Sequence, residues 1–152
     1  MYQPDAIAAF EVKGRKYLIT ANEGDSRDYD AFGEESRVSA LTLDTAAFPD
    51  AATLRANANI GRLTVTNTLG DTDGDGDFDE LYALGSRSFS IWNAATGAQV
   101  FDSGAELEQT LANLLPDEFN ANHEESDSFD NRSDNKGPEP EGVTVGTVRG
   151  NP

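Results

Sequence analysis

Between Asp71 and Glu80 the chain reads Asp-Thr-Asp-Gly-Asp-Gly-Asp-Phe-Asp-Glu, with a carboxylate at each of Asp71, Asp73, Asp75, Asp77 and Asp79. Numbered from Asp71, these residues fall at loop positions 1, 3, 5, 7 and 9, with Gly76 at position 6. Calcium loops of the EF-hand kind use this layout, because a hard cation takes about six to eight oxygens and the glycine lets the backbone turn around it. Position 12 is Tyr82 in place of the bidentate glutamate, and no helical pattern flanks the loop. Asp79 must therefore complete the set, as in shorter Asp-x-Asp-x-Asp-Gly-x-x-Asp loops between strands. Like charges this close cost roughly 1 to 4 kcal/mol per pair, depending on local dielectric, and a divalent cation removes that cost. Ca2+ is the expected cofactor, since an all-carboxylate cage suits the larger and less strictly octahedral ion better than Mg2+. The competing reading is a solvated acidic turn.

A second polar stretch, Asn22-Glu23-Gly24-Asp25-Ser26-Arg27-Asp28-Tyr29-Asp30, follows directly on an apolar run and continues to Glu34, Glu35 and Arg37. This stretch is expected to bind a metal through Glu23, Asp25 and Asp28, to hold an oxyanion with Arg27, or to form a network of ion pairs that organises a long loop. Glu139 and Glu141 bracket Pro140 before a strand-like run, which suits either a metal or sugar hydroxyl site or a rigid strand entry. His123 is the only histidine, so a two-histidine metal site is excluded within this chain. Beside Glu124, Glu125 and Asp127 it reads as a solvent-exposed residue or an occasional ligand. Asn131-Arg132-Ser133 has the form of a glycosylation sequon, which has meaning only in a secreted eukaryotic setting.

The elements that must position these groups are mostly strands. AIAAFEV and KYLIT flank Lys13-Gly14-Arg15 and predict a hairpin. RVSALTL and GRLTVTN read as strands, and LYALGSRSFSIWNAATGAQVFD as a β-meander of three short runs. Asp50 is placed to cap a short helix over Ala51 to Ala56. One amphipathic helix is expected after Ser103, where Glu106 gives capping-box spacing, Leu107, Leu111, Leu114 and Leu115 share a face, and Pro116 stops the run. Residues 117–141 hold nine acids against Arg132 and Lys136 and read as an acidic loop insertion.

Pro4 to Gly14 lines up with Pro140 to Gly150: in each, a proline and an acid precede an apolar run ending in valine, a basic residue and glycine. Short strands, meanders and a recurring strand-turn unit predict a mainly β fold of β-propeller-like blades, with residues 1–152 forming about two blades of a larger propeller. KYLIT follows the first copy, whereas only Asn151 and Pro152 follow the second. The strand expected over Val143–Val148 then either pairs with another chain or further blades of a longer parent, or folds back beside AIAAFEV.

Composition narrows the partners. Lys plus Arg is 11 and Asp plus Glu is 28, a net charge of 11 − 28 = −17. This excludes a nucleic-acid surface, which needs clustered bases to displace counterions. An anionic membrane surface is disfavoured likewise, and no run approaches the ~20 apolar residues that insert across a bilayer. With no cysteine, disulfides, thiolate ligands and a cysteine nucleophile are excluded. High-salt adaptation is a further explanation of the acidity, given three Lys against eight Arg.

PDAIAAFEV, YLITANEGDSRDYD, LGDTDGDGDFDELYALGSRSFSIW and SFDNRSDNKGPEPEGV, in this order, closely resemble the choice-of-anchor I domain family. These proteins are related to mesenchyme-specific cell-surface glycoproteins associated with biomineral deposition. The resemblance implies a propeller-like fold, a secreted or cell-surface location in bacteria, and calcium association. It makes a calcium-binding segment with a structural, adhesive or mineral-associated role the leading expectation. Because some members carry an alkaline phosphatase label, the alternative is a metal-dependent phosphohydrolase, alkaline phosphatase-like or phytase-like, acting on a phosphate ester through Glu23, Asp25, Asp28, Glu139, Glu141 and Arg27. No nucleophile or general base is identifiable for it.

Overall fold

The computed structural model describes residues 1–125 and 128–152, and the fold is mainly β. In chain order the strands are β1 (Ala6–Val12), β2 (Arg15–Asn22), β3 (Asp28–Tyr29), β4 (Phe32–Gly33), β5 (Glu35–Arg37), β6 (Thr64–Thr66), β7 (Ser88–Asn93) and β8 (Gln99–Asp102). Helix α1 spans Ala51–Leu54 and α2 spans Glu106–Leu114, with 3₁₀ turns at Val38–Ala40 and Pro116–Glu118. The chain divides into two units. One holds Ser26–Leu84 with Met1 and Ser133–Asn135; the other holds Tyr2–Asp25, Gly85–Arg132 and Lys136–Pro152.

The second unit is built on an antiparallel sheet in the order β1-β2-β7-β8. The expected hairpin forms, and its turn shows why: Lys13 and Gly14 both have positive φ, +50° and +78°, the signature of the two-residue turn whose twist matches that of the strands. Residues two apart share a sheet face, so the pairings Thr20↔Ser90, Asn22↔Ser88 and Ser90↔Asp102 stack polar side chains across three strands. They form a closed hydrogen-bond ladder. The Asn22 amide donates to Ser88 Oγ (3.1 Å) and Ser90 Oγ (2.8 Å), Thr20 donates to Asn22 Oδ1, both serines donate to Asp102 Oδ2, and Trp92 Nε1 donates to Thr20. Asn22, Ser88 and Ser90 are wholly buried, so each bond satisfies a group that water cannot reach.

Several expectations are corrected here. The β-meander is a single hairpin, β7–β8; Leu81 to Ala83 form no strand and Ala83 makes only an isolated bridge to Val65. The capping box does not form, because the Ser103 hydroxyl accepts the Phe89 N–H (2.9 Å) and Ala105 takes the N-cap position. Leu107 and Leu111 are half-buried, but Leu114 and Leu115 are exposed. Val143–Val148 makes no ladder with another strand of this chain. Only Val148 pairs, with Asn151, across a turn in which Arg149 and Gly150 take φ of +51° and +80°. The repeated segment thus repeats the turn conformation of Lys13-Gly14 without its ladder.

The first unit has the apolar core: Val38, Leu41, Leu43 and Val65 are buried, with Phe48, Leu54, Ile60, Leu63, Phe78 and Leu81 against them. RVSALTL is strand only through Arg37, then a 3₁₀ turn, because the turn aims Val38 and Leu41 together into this core. β6 pairs with β5 and bridges Ala83 on its other side, so both its threonines are buried along with Val65 and no alternation survives. Asp134 ties the unit together: its carboxylate pairs with Arg37 (3.0 Å) and Arg62 (2.8 Å), and its carbonyl accepts the Thr64 N–H.

Asn22→Ala removes the hub of the ladder and strands buried hydroxyls. It should cost about 2 to 3 kcal/mol, read as a lower urea midpoint at unchanged slope; an unchanged midpoint shows that the ladder carries no stability.

Candidate metal centre

Gly70 closes the acidic loop. Its carbonyl accepts the N–H groups of Asp79 (2.8 Å) and Glu80 (3.0 Å), and at φ +109° a Cβ would stand 2.2 Å from the Glu80 carbonyl oxygen, so only glycine fits. Inside this closure the aspartates fold the chain upon itself. Asp71 accepts the N–H groups of Gly74 (2.7 Å) and Gly76 (3.1 Å), Asp73 that of Asp75, and Asp75 that of Asp77. Asp79 Oδ2 accepts both the amide (2.8 Å) and the hydroxyl (2.7 Å) of Thr72. Gly74 and Gly76 take positive φ with open space around them, which lets the loop turn twice within five residues.

The result is two groups of carboxylates, each with oxygens within 4.8 Å of one another: Asp71, Asp73 and Asp79, and Asp44, Asp77 and Asp79. Asp79 belongs to both. Asp44 is the residue that sequence reasoning missed. It arrives through a parallel bridge between Leu43 and Phe78, in which the Asp44 N–H donates to the Phe78 carbonyl (3.0 Å) and the Phe78 N–H to Thr42 (2.9 Å). Its Oδ1 caps the N–H groups of Ala46 and Ala47. The only local signal is that capping pattern, which gives no hint of a partner more than thirty residues on.

The electrostatics follow from the crowding. Loss of solvent, then the charges of Asp75, Asp44 and Asp79, push the Asp77 carboxyl above the usual aspartate range. Hydrogen bonds from the Thr72 hydroxyl and amide hold Asp79 below it. The donor set fits a hard divalent cation: oxygen only, anionic and without nitrogen or sulfur. Asp71, Asp73, Asp77 and Asp79, joined by Asp44, are the residues that would hold it, while Asp75, whose carboxylate accepts the Asp77 N–H, belongs to neither group.

The other expected polar site is divided. In the second unit the half-buried Lys136 ammonium bridges Glu23 (2.9 Å) and Asp25 (2.8 Å). Burial pulls the Lys136 pKa down, but its bonds to Asp25 and Glu23 outweigh this, and the net shift is upward. Glu139 pairs with Arg132, while Glu141 is exposed. Arg27 and Asp28 lie in the first unit, where Glu34 takes two guanidinium nitrogens and the amide of Arg27, raising the Arg27 pKa and lowering its own. Arg27 also sits over the Phe32 ring at 5.0 Å. Among the described residues no three of Glu23, Asp25, Asp28, Glu139 and Glu141 come within metal-binding reach. His123 lines a cavity near α2, and Asp127, expected beside it, lies outside the described residues.

A raised folded-state pKa means that Asp77 supports the fold when protonated and that this support is lost as pH rises through the shifted value; Asp79, depressed, does the reverse, losing its support as pH falls. In chelator at neutral pH, Asp77→Asn should therefore raise the melting temperature and Asp79→Asn lower it. A fall for Asp77→Asn refutes the repulsion.

Comparisons with known proteins bear on the whole chain. The model of the Choice-of-anchor I domain matches residues 1–152. Gigasin-3a of Magallana gigas is 36% identical over 96 residues, which are 60% of this chain and 34% of that protein. The match thus spans about a third of that relative's length. No solved structure matches. On the family match across all 152 residues, this chain belongs to the choice-of-anchor I domain family.

Proposed function

We propose that the chain is a calcium-binding segment of a secreted or cell-surface β-propeller protein, with a structural, adhesive or mineral-associated role. The observation that carries this reading is that, of the six aspartates Asp44, Asp71, Asp73, Asp75, Asp77 and Asp79, all but Asp75 gather into two carboxylate groups that share Asp79. No salt bridge to Lys or Arg reaches any of the six among the described residues. A hard cation is the partner this charge calls for. The site is exposed at Asp71 and Asp73 and half-buried at Asp44, Asp77 and Asp79, and it lacks the bidentate glutamate of tight loops; the affinity expected on this reading is that of extracellular modules, a dissociation constant of about 10⁻⁴ to 10⁻³ M. That range suits calcium outside cells, and family membership supports the same address. Among the described residues no helix is long and apolar enough to cross a membrane.

The propeller element of the proposal rests on the antiparallel sheet β1-β2-β7-β8, a blade in form, and on the second turn at Arg149-Gly150. In this reading residues 1–152 are a partial propeller of about two blades, residues 117–141 are an acidic insertion, and Val143–Val148 joins further blades or another copy of the chain. A mineral surface or other calcium-rich matrix is the external partner.

Calcium at ~100 times its dissociation constant should add about 2.7 kcal/mol, a rise of about 5 to 10 °C in melting temperature. Asp73→Ala with Asp75→Ala should abolish the rise, and Asp44→Ala should reduce it. A calcium-induced shift that survives the double substitution sinks the assignment.

A further inference from the structure

We infer that a cavity in the second unit, between α2, the segment 118–123, Arg132 and the segment 137–139, binds a small neutral polyol such as a single sugar ring. The cavity holds about 200 Å³, and Leu111, Asn122, His123, Arg132, Pro138 and Glu139 are among its walls. That is the volume of about seven bulk waters, enough for one such ring.

Backbone strain points to this place. Among the described residues, six other than glycine have positive φ. Lys13 and Arg149 belong to the two matching turns, where that conformation is required. The other four are Arg87 (+60°), Asn120 (+44°), Asp130 (+62°) and Glu139 (+45°), and all four surround this cavity or support its wall. Asn120 and Glu139 line it. The Arg87 guanidinium and the Asn120 amide both donate to Glu108 Oε1 (2.9 Å each). The Asp130 N–H donates to the Phe119 carbonyl (2.8 Å), beside the bond from the Arg132 N–H to the Asn120 carbonyl (2.9 Å). Residues held in sparsely populated conformations cost of order 1 to 3 kcal/mol each and collect where a site must be kept in shape. Gly137 completes the wall, since a Cβ there would stand 2.9 Å from Glu108 Oε1.

The wall chemistry selects the ligand class. Asn122 Oδ1 accepts the N–H groups of Glu124 (3.0 Å) and Glu125 (2.8 Å), which fixes the amide and leaves Nδ2 as a donor. Arg132 gives Nε and Nη2 to a single oxygen of Glu139, so Arg132 Nη1 and Glu139 Oε2 make no hydrogen bond to other described residues. Glu118 and His123 add an acceptor and a group able to do either. Uncommitted donors and acceptors thus occur together, and a hydroxyl uses both. An anion would use the donors alone, against two glutamates and a chain of charge −17. A metal ion would use the acceptors alone, and no three carboxylates or imidazoles here lie within reach of one another among the described residues. An organic cation would face the like charge of the Arg132 guanidinium. Leu111, Ala121 and Pro138 supply the apolar strip on which the C–H side of a ring rests.

The test is an amide-resolved NMR titration of the full chain in chelator, so that the acidic loop plays no part. The probes are glucose, mannose and myo-inositol, with glucuronate, inorganic phosphate and glucosamine as charged counterparts. A neutral polyol should saturably shift the amides of 119–123, Arg132, Gly137 and Glu139. Asn122→Asp keeps the Oδ1 cap but replaces the donor, and it should weaken binding about tenfold, or about 1.4 kcal/mol, at unchanged melting temperature. Glu118→Ala, on an exposed side chain, should weaken it as well. The inference is overturned if no neutral polyol gives a saturable shift at ~100 mM, about 1.4 kcal/mol of binding. It is equally overturned if a charged counterpart binds more tightly than the neutral polyols, or if Asn122→Asp binds as the parent does.

Discussion

The excess of carboxylates is the constraint from which the rest of this structure follows. With 28 acids and 11 basic residues, every cation placed in one ion pair is withheld from another. Six of them are spent at structural joints: Arg27 on Glu34, Arg37 and Arg62 on Asp134, Arg87 on Glu108, Arg132 on Glu139, and Lys136 on Glu23 and Asp25. Each joint ties a loop to its unit. Pairs such as Arg87 with Glu108 and Lys136 with Glu23 are shielded enough from solvent to count for more than surface ion pairs, which contribute little. None of these cations reaches the Asp71 to Asp79 loop, so its repulsion is offset only by hydrogen bonds within the loop.

The same scarcity of apolar material shapes the interiors. Hydrophobic residues are 37% of the chain, below the 45 to 50% or so of typical domains. The first unit gathers its share into one small core around Val38 and Val65. The sheet of the second unit instead buries the Asn22, Ser88 and Ser90 ladder, where specificity comes from complete pairing of donors with acceptors. A polar interior of this kind tolerates no half-measures, because each unpaired group would keep its desolvation cost.

The two candidate sites differ in what holds them. The acidic loop is preformed by its own Asx-type bonds and by Gly70, and Asp44 is carried in by the Leu43–Phe78 bridge. Its crowding shows in the raised Asp77 and depressed Asp79, neighbours two residues apart driven in opposite directions by solvent loss and by Thr72. The cavity near α2 is held by strained backbone and by Glu108, which takes both Arg87 and Asn120. The first site gathers one kind of charge, and the second balances donors with acceptors.

Local patterning was enough to establish the first hairpin, the single longer helix and the acidic loop, because each depends on residues within a few positions of one another. Lys13-Gly14 determines a turn, Pro116 ends a helix, and alternating aspartates with glycines curl a loop, whatever surrounds them. The recurrence at Arg149-Gly150 was legible for the same reason, down to its φ angles. What the tertiary structure decided were matters of partnership. Ser103 serves Phe89 and not the helix, Val143–Val148 stays out of a ladder, and of the six polar residues expected to share a site Glu23 and Asp25 pair with Lys136, Arg27 with Glu34 and Glu139 with Arg132. Asp44 lies 33 positions before its partner Asp77, and the bridge that unites them is a backbone contact with no signature of its own in either segment. Sequence spacing reports what a residue can do; which distant group it does it with is settled only when the chain brings the two together.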